Sequence, residues 1–297
     1  MARIELPQRG LHLEYESHGS SDSPAVILIM GLGLQLVAWP PELIDALVAA
    51  GYRVIVFDNR DIGLSSAGAL PQYTSPPLAL AALLLHQHFT PPYRIADLAA
   101  DTLALADALG IDRFDVVGVS LGGMVGQTLA ARAPERVLSL TSIMSSAGPR
   151  TAPWPTPALL WRFLQPPPRG ALHDKKLDHF VALMQALGNI HDEDELERLR
   201  ERLSCALQRA YNPAGAARQL MAVLADPDRS NEVARIRCPT LILHGANDPL
   251  VPVAAAHHLK SLLPQARLEI IEGLGHYLPR DKLSRIAASI VDHLKTA

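Results

Sequence analysis

One serine stands in a sequence that favours nucleophilic chemistry. Ser120 is the centre of the pentapeptide GVSLG, residues 118–122. An apolar run typical of a strand, residues 114–119, leads into it, and a helical pattern, residues 121–132, follows. A G-x-S-x-G sequence between a strand and a helix is typical of a nucleophile elbow, a tight turn that exposes the serine hydroxyl. We therefore predict that Ser120 is a nucleophile.

Two later segments contain the acid and the base that a nucleophilic serine needs. A serine hydroxyl reacts when a base takes its proton, and the base needs a carboxylate that fixes its tautomer. Asp248 follows a predicted strand that ends at Leu243, and His276 lies in a glycine-rich loop after the last predicted strand. Both lie where α/β sheets place their ligand sites, at the carboxyl ends of strands. We predict a catalytic triad of Ser120, Asp248 and His276.

Two backbone N–H groups are candidates for stabilising the reaction intermediate. The tetrahedral intermediate of acyl transfer needs hydrogen-bond donors for its oxyanion. Leu121 begins the helix after Ser120, where the helix dipole also favours negative charge. The loop MGLG, residues 30–33, follows the first buried strand, and its glycines let the backbone approach a substrate. We predict that the N–H groups of Leu32 and Leu121 form the oxyanion hole.

The elements that must position these residues alternate in type along the chain. Short apolar runs recur between amphipathic helical patterns, which predicts a mostly parallel α/β sheet with helices on both faces. Residues 3–6 and 11–17 alternate in polarity, as half-exposed antiparallel edge strands do. The predicted parallel strands are residues 25–29, 53–57, 114–119, 137–143, 239–243 and 267–271. The predicted helices of this unit are residues 41–50, 97–109, 121–132, 253–263 and 281–294.

A proline-rich stretch interrupts this alternation. Seven prolines fall within residues 149–168, and we expect them to prevent a regular helix or strand there. Beyond it, residues 175–187 and 191–211 have helical patterns. We predict a helical cap, residues 148–236, inserted into a core of residues 1–147 and 237–297. On its second long helix, Glu195/Arg198 and Glu197/Arg200 are expected to be exposed surface pairs with no catalytic part.

The composition limits the classes of protein to consider. Of 297 residues, 48% are hydrophobic and only 19% are charged, so the chain can bury a large core and is not of disordered type. The net charge is −3 and no long basic run occurs, which argues against a nucleic-acid partner. No segment has the length of a membrane span or the pattern of a secretory signal, so we expect a cytoplasmic protein. The sequence carries no signal for an oligomeric state.

The cysteines give no sign of a disulfide framework or a metal site. Only Cys205 and Cys238 occur, far apart and outside any C-x-x-C pattern. We expect both to be small packed side chains, and we predict no metal site.

Together these segments resemble the α/β-hydrolase superfamily over nearly the whole chain. Residues 30–33 (MGLG) with Trp39-Pro40, and residues 57–65 (FDNRDIGLS), look most like the branch of aclacinomycin methylesterase-like small carboxylesterases. Many members of that branch have His where Met30 stands. The resemblance implies an eight-stranded sheet, a helical cap, no cofactor, and ester hydrolysis through an acyl-enzyme. It assigns the same triad and the same two oxyanion donors.

The substrate is expected to be a small hydrophobic ester. The sequence offers apolar candidates for its pocket, namely Met30, Trp39, Met144, Trp154, Trp161 and Phe180. Hydrolysis of a carbon–carbon bond or of a lactone would use the same triad and stays open. A non-catalytic small-molecule receptor on the same fold is the alternative from another class.

A dinucleotide-binding oxidoreductase is disfavoured by the residues after the first buried strand. Gly31 and Gly33 begin the pattern of a dinucleotide fingerprint, and Asp58 ends the next strand. However, Leu36 replaces the third glycine, and the pair Pro40-Pro41 interrupts the helix that should begin there.

Overall fold

The computed structural model describes residues 1–75, 78–79, 81–82, 85, 87–148, 156–165 and 173–296. Eight strands form one sheet in the order β1-β2-β4-β3-β5-β6-β7-β8. The strands are β1 (Ala2–Leu6), β2 (Leu11–His18), β3 (Ala25–Ile29), β4 (Arg53–Phe57), β5 (Phe114–Val119), β6 (Val137–Ile143), β7 (Thr240–Gly245) and β8 (Arg267–Ile271). The helices are α1 (Pro41–Ala49), α2 (Ile95–Ala108), α3 (Leu121–Arg132), α4 (Pro157–Leu164), α5 (His173–Gly188), α6 (Glu193–Arg209), α7 (Pro213–Leu224), α8 (Ser230–Val233), α9 (Ala254–Leu262) and α10 (Arg280–Thr296).

The sheet is antiparallel at one edge and parallel elsewhere. β2 pairs antiparallel with β1 and with β4, whereas all pairs from β4 through β8 are parallel. β3 lies between β4 and β5, with Ile27 opposite both Ile55 and Val116. A parallel arrangement needs crossover connections, which the helices provide. The predicted α/β fold with an eight-stranded, mostly parallel sheet is therefore confirmed.

Alternation along the central strands divides the core into two layers. Val26 and Leu28 of β3 face α1 and α10, and Ile27 and Ile29 face the layer that contains α2 and α3. Successive side chains of a strand point to opposite faces, so a strand buried on both faces is a continuous apolar run. Such runs hold the parallel strands rigidly, and their carboxyl ends converge on one edge of the sheet.

Helices occupy the described chain between β6 and β7. α5 and α6 pack side by side, and α7 follows through a short connection. We propose that these helices belong to the expected cap, residues 148–236, inserted into a core of residues 1–147 and 237–297. The expectation that the prolines exclude regular structure throughout residues 149–168 was wrong for α4. Pro157 lies at the first turn of that helix, where its missing N–H costs no hydrogen bond, and Thr156 caps the helix by accepting from the Leu159 N–H.

Two buried ion pairs join α6 and α7 to the loop after β4. Arg209 at the end of α6 donates to Asp58 at 2.7 Å, and Arg218 of α7 donates to both carboxylate oxygens of Asp61 at 2.6 and 2.7 Å. Asp58 and Asp61 are almost fully buried. Burial raises the pKa of Asp58, although Arg209 and two backbone N–H groups oppose this rise. The loop therefore connects the sheet with α6 and α7.

The described ranges contain neither a candidate membrane-spanning helix nor a candidate metal cluster. No helix there combines the length and the apolar composition that crossing a bilayer requires. Within those ranges, no three His, Cys, Asp or Glu side chains converge on a common metal position.

Candidate active site

Ser120 lies on a strained turn between β5 and α3. Its φ and ψ angles are 56° and −115°, a conformation that side chains other than glycine rarely adopt. The Ser120 N–H donates to the Ile143 carbonyl at 2.8 Å, and the Ser145 hydroxyl donates to the Ser120 carbonyl at 2.8 Å. A side chain at Gly122 would collide with the Ile29 carbonyl, so glycine is required for α3 to pass β3 so closely. These contacts hold the serine where the strand ends.

The three residues of the predicted triad lie within hydrogen-bonding distance of one another. His276 Nε2 is 3.0 Å from Ser120 Oγ, and His276 Nδ1 is 2.7 Å from Asp248 Oδ2. Asp248 Oδ1 accepts from the backbone N–H groups of Leu250 and Val251 at 2.9 and 2.8 Å. Asp248 and His276 are buried and Ser120 is partly exposed. The arrangement can transfer the serine proton to the imidazole while the carboxylate fixes its tautomer.

A second histidine, His244, contacts the loop of Asp248 but is not part of the hydrogen-bonded chain from Ser120 through His276. His244 is fully buried at the end of β7, and its Nε2 is 2.7 Å from the Val251 carbonyl and 3.6 Å from Asp248 Oδ2. Burial lowers the pKa of His244, although the Val251 carbonyl and the Asp248 carboxylate oppose this effect. A neutral His244 donates its Nε2 proton to Val251. It therefore braces the loop that carries Asp248 and leaves that carboxylate to His276.

The two predicted oxyanion donors lie on segments that flank Ser120. Leu121 is the first residue of α3, so its N–H has no acceptor within the helix. The loop that carries Leu32 also approaches the serine, because a Cβ atom on Gly31 would lie 3.5 Å from the Ser120 Cβ. The Gly33 N–H donates to Gln219 Oε1 of α7 at 2.9 Å. Both N–H groups therefore belong to segments next to Ser120, and the oxyanion role remains a prediction.

The predicted pocket residues occupy different environments. Met30, Trp39 and Met144 are buried in the apolar layer that packs on α1 and α10. Phe180 of α5 is half-buried and makes an edge-to-face contact with Tyr211, with ring centroids 6.3 Å apart. These four residues therefore stay predictions for the pocket, since burial alone does not distinguish core packing from a pocket wall.

Trp154 and Trp161 were also predicted for the pocket. Trp161 on α4 is 68% exposed, which contradicts a position in an enclosed pocket. Trp154 lies outside the described residues.

Sequence reasoning missed two groups that touch the candidate site. Gln219 is fully buried although it is polar, and it receives the Gly33 N–H described above. The Leu187 carbonyl at the end of α5 accepts from the His276 N–H at 2.7 Å. The sequence gives no signal for a backbone carbonyl. A lone glutamine among apolar residues of α7 was a weak sign that its side chain had a partner.

Comparisons with known proteins agree with the fold. The family model described as alpha/beta hydrolase fold matches residues 24–282. The chain is 32% identical to rhodomycin D methylesterase of Streptomyces peucetius over 93% of this chain and 92% of that protein. It is 30% identical to 3-oxoadipate enol-lactonase 2 of Acinetobacter baylyi over 90% of this chain and 87% of that protein. The solved enol-lactonase structure from Burkholderia xenovorans superposes with a TM-score of 0.72 at 23% identity, covering 96% of this chain and 97% of that one.

Proposed function

Since the chain belongs to the α/β-hydrolase-fold family, we propose that it is a serine hydrolase that cleaves carboxylic esters of small hydrophobic substrates. The observation that carries the proposal is the continuous hydrogen-bonded chain from Ser120 through His276 to Asp248. The similarity to a methylesterase over most of both chains supports the ester as the bond that is cleaved.

In the proposed mechanism, Ser120 and His276 share the proton transfers of two steps. Ser120 Oγ attacks the acyl carbonyl carbon while His276 Nε2 takes the hydroxyl proton. The tetrahedral intermediate then collapses, the bond to the alcohol oxygen breaks, and His276 returns the proton to the leaving alcohol. A water molecule next attacks the acyl-enzyme, gives a proton to His276, and releases the carboxylic acid as Ser120 regains its proton. No cofactor takes part in these steps.

Asp248 and two N–H groups stabilise the charges that develop in this mechanism. Asp248 holds the Nδ1 proton of His276 and balances the imidazolium that forms. The N–H groups of Leu32 and Leu121 donate to the oxyanion in each tetrahedral intermediate. Removal of one such donor costs about 10²–10³ in kcat in enzymes of this type. We further propose that apolar side chains of the site and the cap receive the hydrophobic part of the ester.

A second candidate function is hydrolysis of a lactone by the same residues. It is favoured by the 30% identity to 3-oxoadipate enol-lactonase 2, which has nearly the same length coverage as the methylesterase. A lactone differs from an open ester because its alcohol remains attached to the acyl group after ring opening. Parallel assays of a lactone series and of p-nitrophenyl esters of increasing acyl length separate the two functions through their kcat/KM values.

Covalent labelling by a fluorophosphonate tests the nucleophile directly. The reagent phosphonylates an activated serine, and peptide mass spectrometry then identifies the modified residue. We expect modification at Ser120, and we expect Ser120→Ala to lose both labelling and at least about 10³-fold in turnover of p-nitrophenyl acetate. Ser261 is exposed on α9 and serves as the matched control, because Ser261→Ala should keep both.

Three outcomes would contradict the proposal. Labelling at another residue would exclude Ser120 as the nucleophile. Turnover that survives Ser120→Ala would indicate chemistry outside the triad. Stoichiometric binding of an ester that the protein never hydrolyses would favour a receptor on the same fold.

A further inference from the structure

The side chain of Glu195 on α6 is buried, contrary to the expectation from the helical pattern. That pattern placed Glu195 in an exposed pair with Arg198, whereas the structure leaves Glu195 only 7% exposed. Its backbone N–H is capped by Asp192 in the first turn of α6. Carboxylates are rarely buried unless they are paired and hydrogen-bonded, so the surroundings of this group are informative.

The donors to Glu195 come from the segment that follows the candidate base. The Tyr277 hydroxyl donates to Glu195 Oε1 at 2.8 Å, and the backbone N–H of Arg280 donates to Oε2 at 3.2 Å. Tyr277 directly follows His276, and Arg280 begins α10. Arg202, two turns further along α6, also donates to Glu195 Oε1 at 3.3 Å. Its guanidinium lies 5.3 Å from the centre of the Tyr277 ring.

A second set of contacts holds the other side of the same histidine. The His276 N–H donates to the Leu187 carbonyl at the end of α5 at 2.7 Å. Gly275 approaches Gly188 so closely that a Cβ atom on Gly275 would lie 2.7 Å from the Gly188 carbonyl carbon. Residues 275–280 are therefore held between α5 and α6, and the carboxylate of Glu195 is a charged acceptor for this segment in addition to Asp248.

We propose that Glu195 is a positioning residue, which fixes the loop after His276 so that the imidazole meets Ser120 and Asp248 at the same time. The inference rests on the proposed function for its effect on turnover. Charge-assisted hydrogen bonds to a buried carboxylate are stronger and shorter than neutral ones. Glu195 touches neither substrate nor the reacting atoms and acts through Tyr277 and the start of α10.

The geometry of the imidazole explains why such a contact affects the rate. His276 must keep 3.0 Å to Ser120 Oγ and 2.7 Å to Asp248 Oδ2 from one ring position. A displacement of about 1 Å in an active site can cost about 10²-fold in rate. Ground-state binding of a short ester does not depend on this alignment. Loss of Glu195 should therefore lower kcat and leave KM nearly unchanged.

The test compares Glu195→Ala with Glu197→Ala on the same helix. Glu197 is exposed, so its variant controls for removal of one carboxylate from α6. With p-nitrophenyl acetate we expect Glu195→Ala to lower kcat about 10- to 100-fold with KM within about twofold, and Glu197→Ala to match the unmodified protein. Tyr277→Phe removes only the hydroxyl donor and should lower kcat in the same direction. If Glu195→Ala fails to fold, Tyr277→Phe serves as the test variant in its place.

A proton resonance gives a readout that does not depend on turnover. The Nδ1 proton of His276, shared with Asp248, is expected as a downfield signal in the ¹H NMR spectrum, and Asp248→Asn identifies it. We expect Glu195→Ala and Tyr277→Phe to broaden or shift this signal and Glu197→Ala to leave it unchanged. An unchanged signal together with unchanged kcat in both test variants would overturn the role of Glu195. Absence of fluorophosphonate labelling at Ser120 would instead overturn the esterase proposal, while the resonance still decides the positioning role.

Discussion

The carboxyl group of Asp115 provides a quantitative test of the core. Asp115 lies on β5 at the end of the sheet opposite to the site, and it is only 3% exposed. The Ser139 hydroxyl of β6 donates to Asp115 Oδ1 at 2.6 Å. Burial raises the pKa of Asp115 from 3.8 to about 6, and the hydrogen bonds from Ser139 only partly oppose this rise. Its charged form is therefore destabilised in the folded protein.

The direction of the pH effect follows from this raised pKa. Between the unfolded pKa of 3.8 and the folded pKa of about 6, the folded protein keeps a proton that the unfolded chain has lost. The contribution to stability is complete below the unfolded pKa and is lost as the pH rises through the folded pKa. A difference of about two pKa units corresponds to about 3 kcal/mol. About half of this difference, about 1–2 kcal/mol, separates pH 5 from pH 8.

Urea unfolding at pH 5 and at pH 8 measures this effect in Asp115→Asn. The variant is neutral at both values, so its free energy of unfolding lacks the contribution of this group. We expect the unmodified protein to lose about 1–2 kcal/mol more than Asp115→Asn between pH 5 and pH 8. A constant cost of the amide cancels in this difference. Asp112→Asn is the control, because Asp112 is exposed. Equal pH dependence in the unmodified protein and Asp115→Asn would refute the reasoning.

Two further predictions concern contacts between the cap helices and the core. Arg209→Met leaves the Asp58 carboxylate buried without its cation. We expect the free energy of unfolding, measured in urea at pH 7, to fall by about 3–5 kcal/mol. A loss below about 1 kcal/mol would contradict the view that Arg209 is the main partner of this carboxylate. Gln219→Leu removes the acceptor of the Gly33 N–H, next to the proposed donor Leu32, and we expect lower kcat with little change in KM for p-nitrophenyl acetate. An unchanged kcat would show that α7 does not hold this loop.

The strands and the proximity of Ser120, Asp248 and His276 could be predicted because their signals lie at the strands and at the strand ends. Residues 25–29, 53–57 and 114–119 were predicted with the bounds that β3, β4 and β5 have in the structure. A strand buried on both faces is a short apolar run, which can be recognised in the sequence without knowledge of the tertiary contacts. The turn around Ser120 is equally local, because the glycines at fixed positions are required by the close passage of α3 and β3. The acid and base positions followed from chain order at the strand ends.

Helix α7 could not be predicted because its determinants are tertiary. Its first turn reads Pro213-Ala-Gly-Ala-Ala, which contains no apolar stripe of helical period. Gly215 is necessary because the Asp61 carbonyl occupies the space of a side chain, and Asn212 caps the helix by accepting from the Gly215 N–H at 3.0 Å. Both reasons depend on the docking of α7 against the loop after β4, which is remote in sequence.

The charged residues of α6 were misassigned for the same reason. Helical spacing paired Glu195 with Arg198 and Glu197 with Arg200. Instead, Glu195 turns inward to Tyr277, and Arg200 pairs with Asp178 of α5. Spacing identifies which residues are close on one helix, but it does not identify which side of a polar helix meets another element. Only the packing of α5 on α6 decides that side.

Contacts of the cap helices reach both loops that the proposed mechanism needs. α7 holds the loop of the oxyanion donor through Gln219, and α5 and α6 hold the loop of the base through Leu187 and Glu195. Arg209 of α6 also pairs with the buried Asp58 of the loop after β4. Because these helices contact both loops, we expect substitutions on their inner faces to change kcat as well as substrate preference.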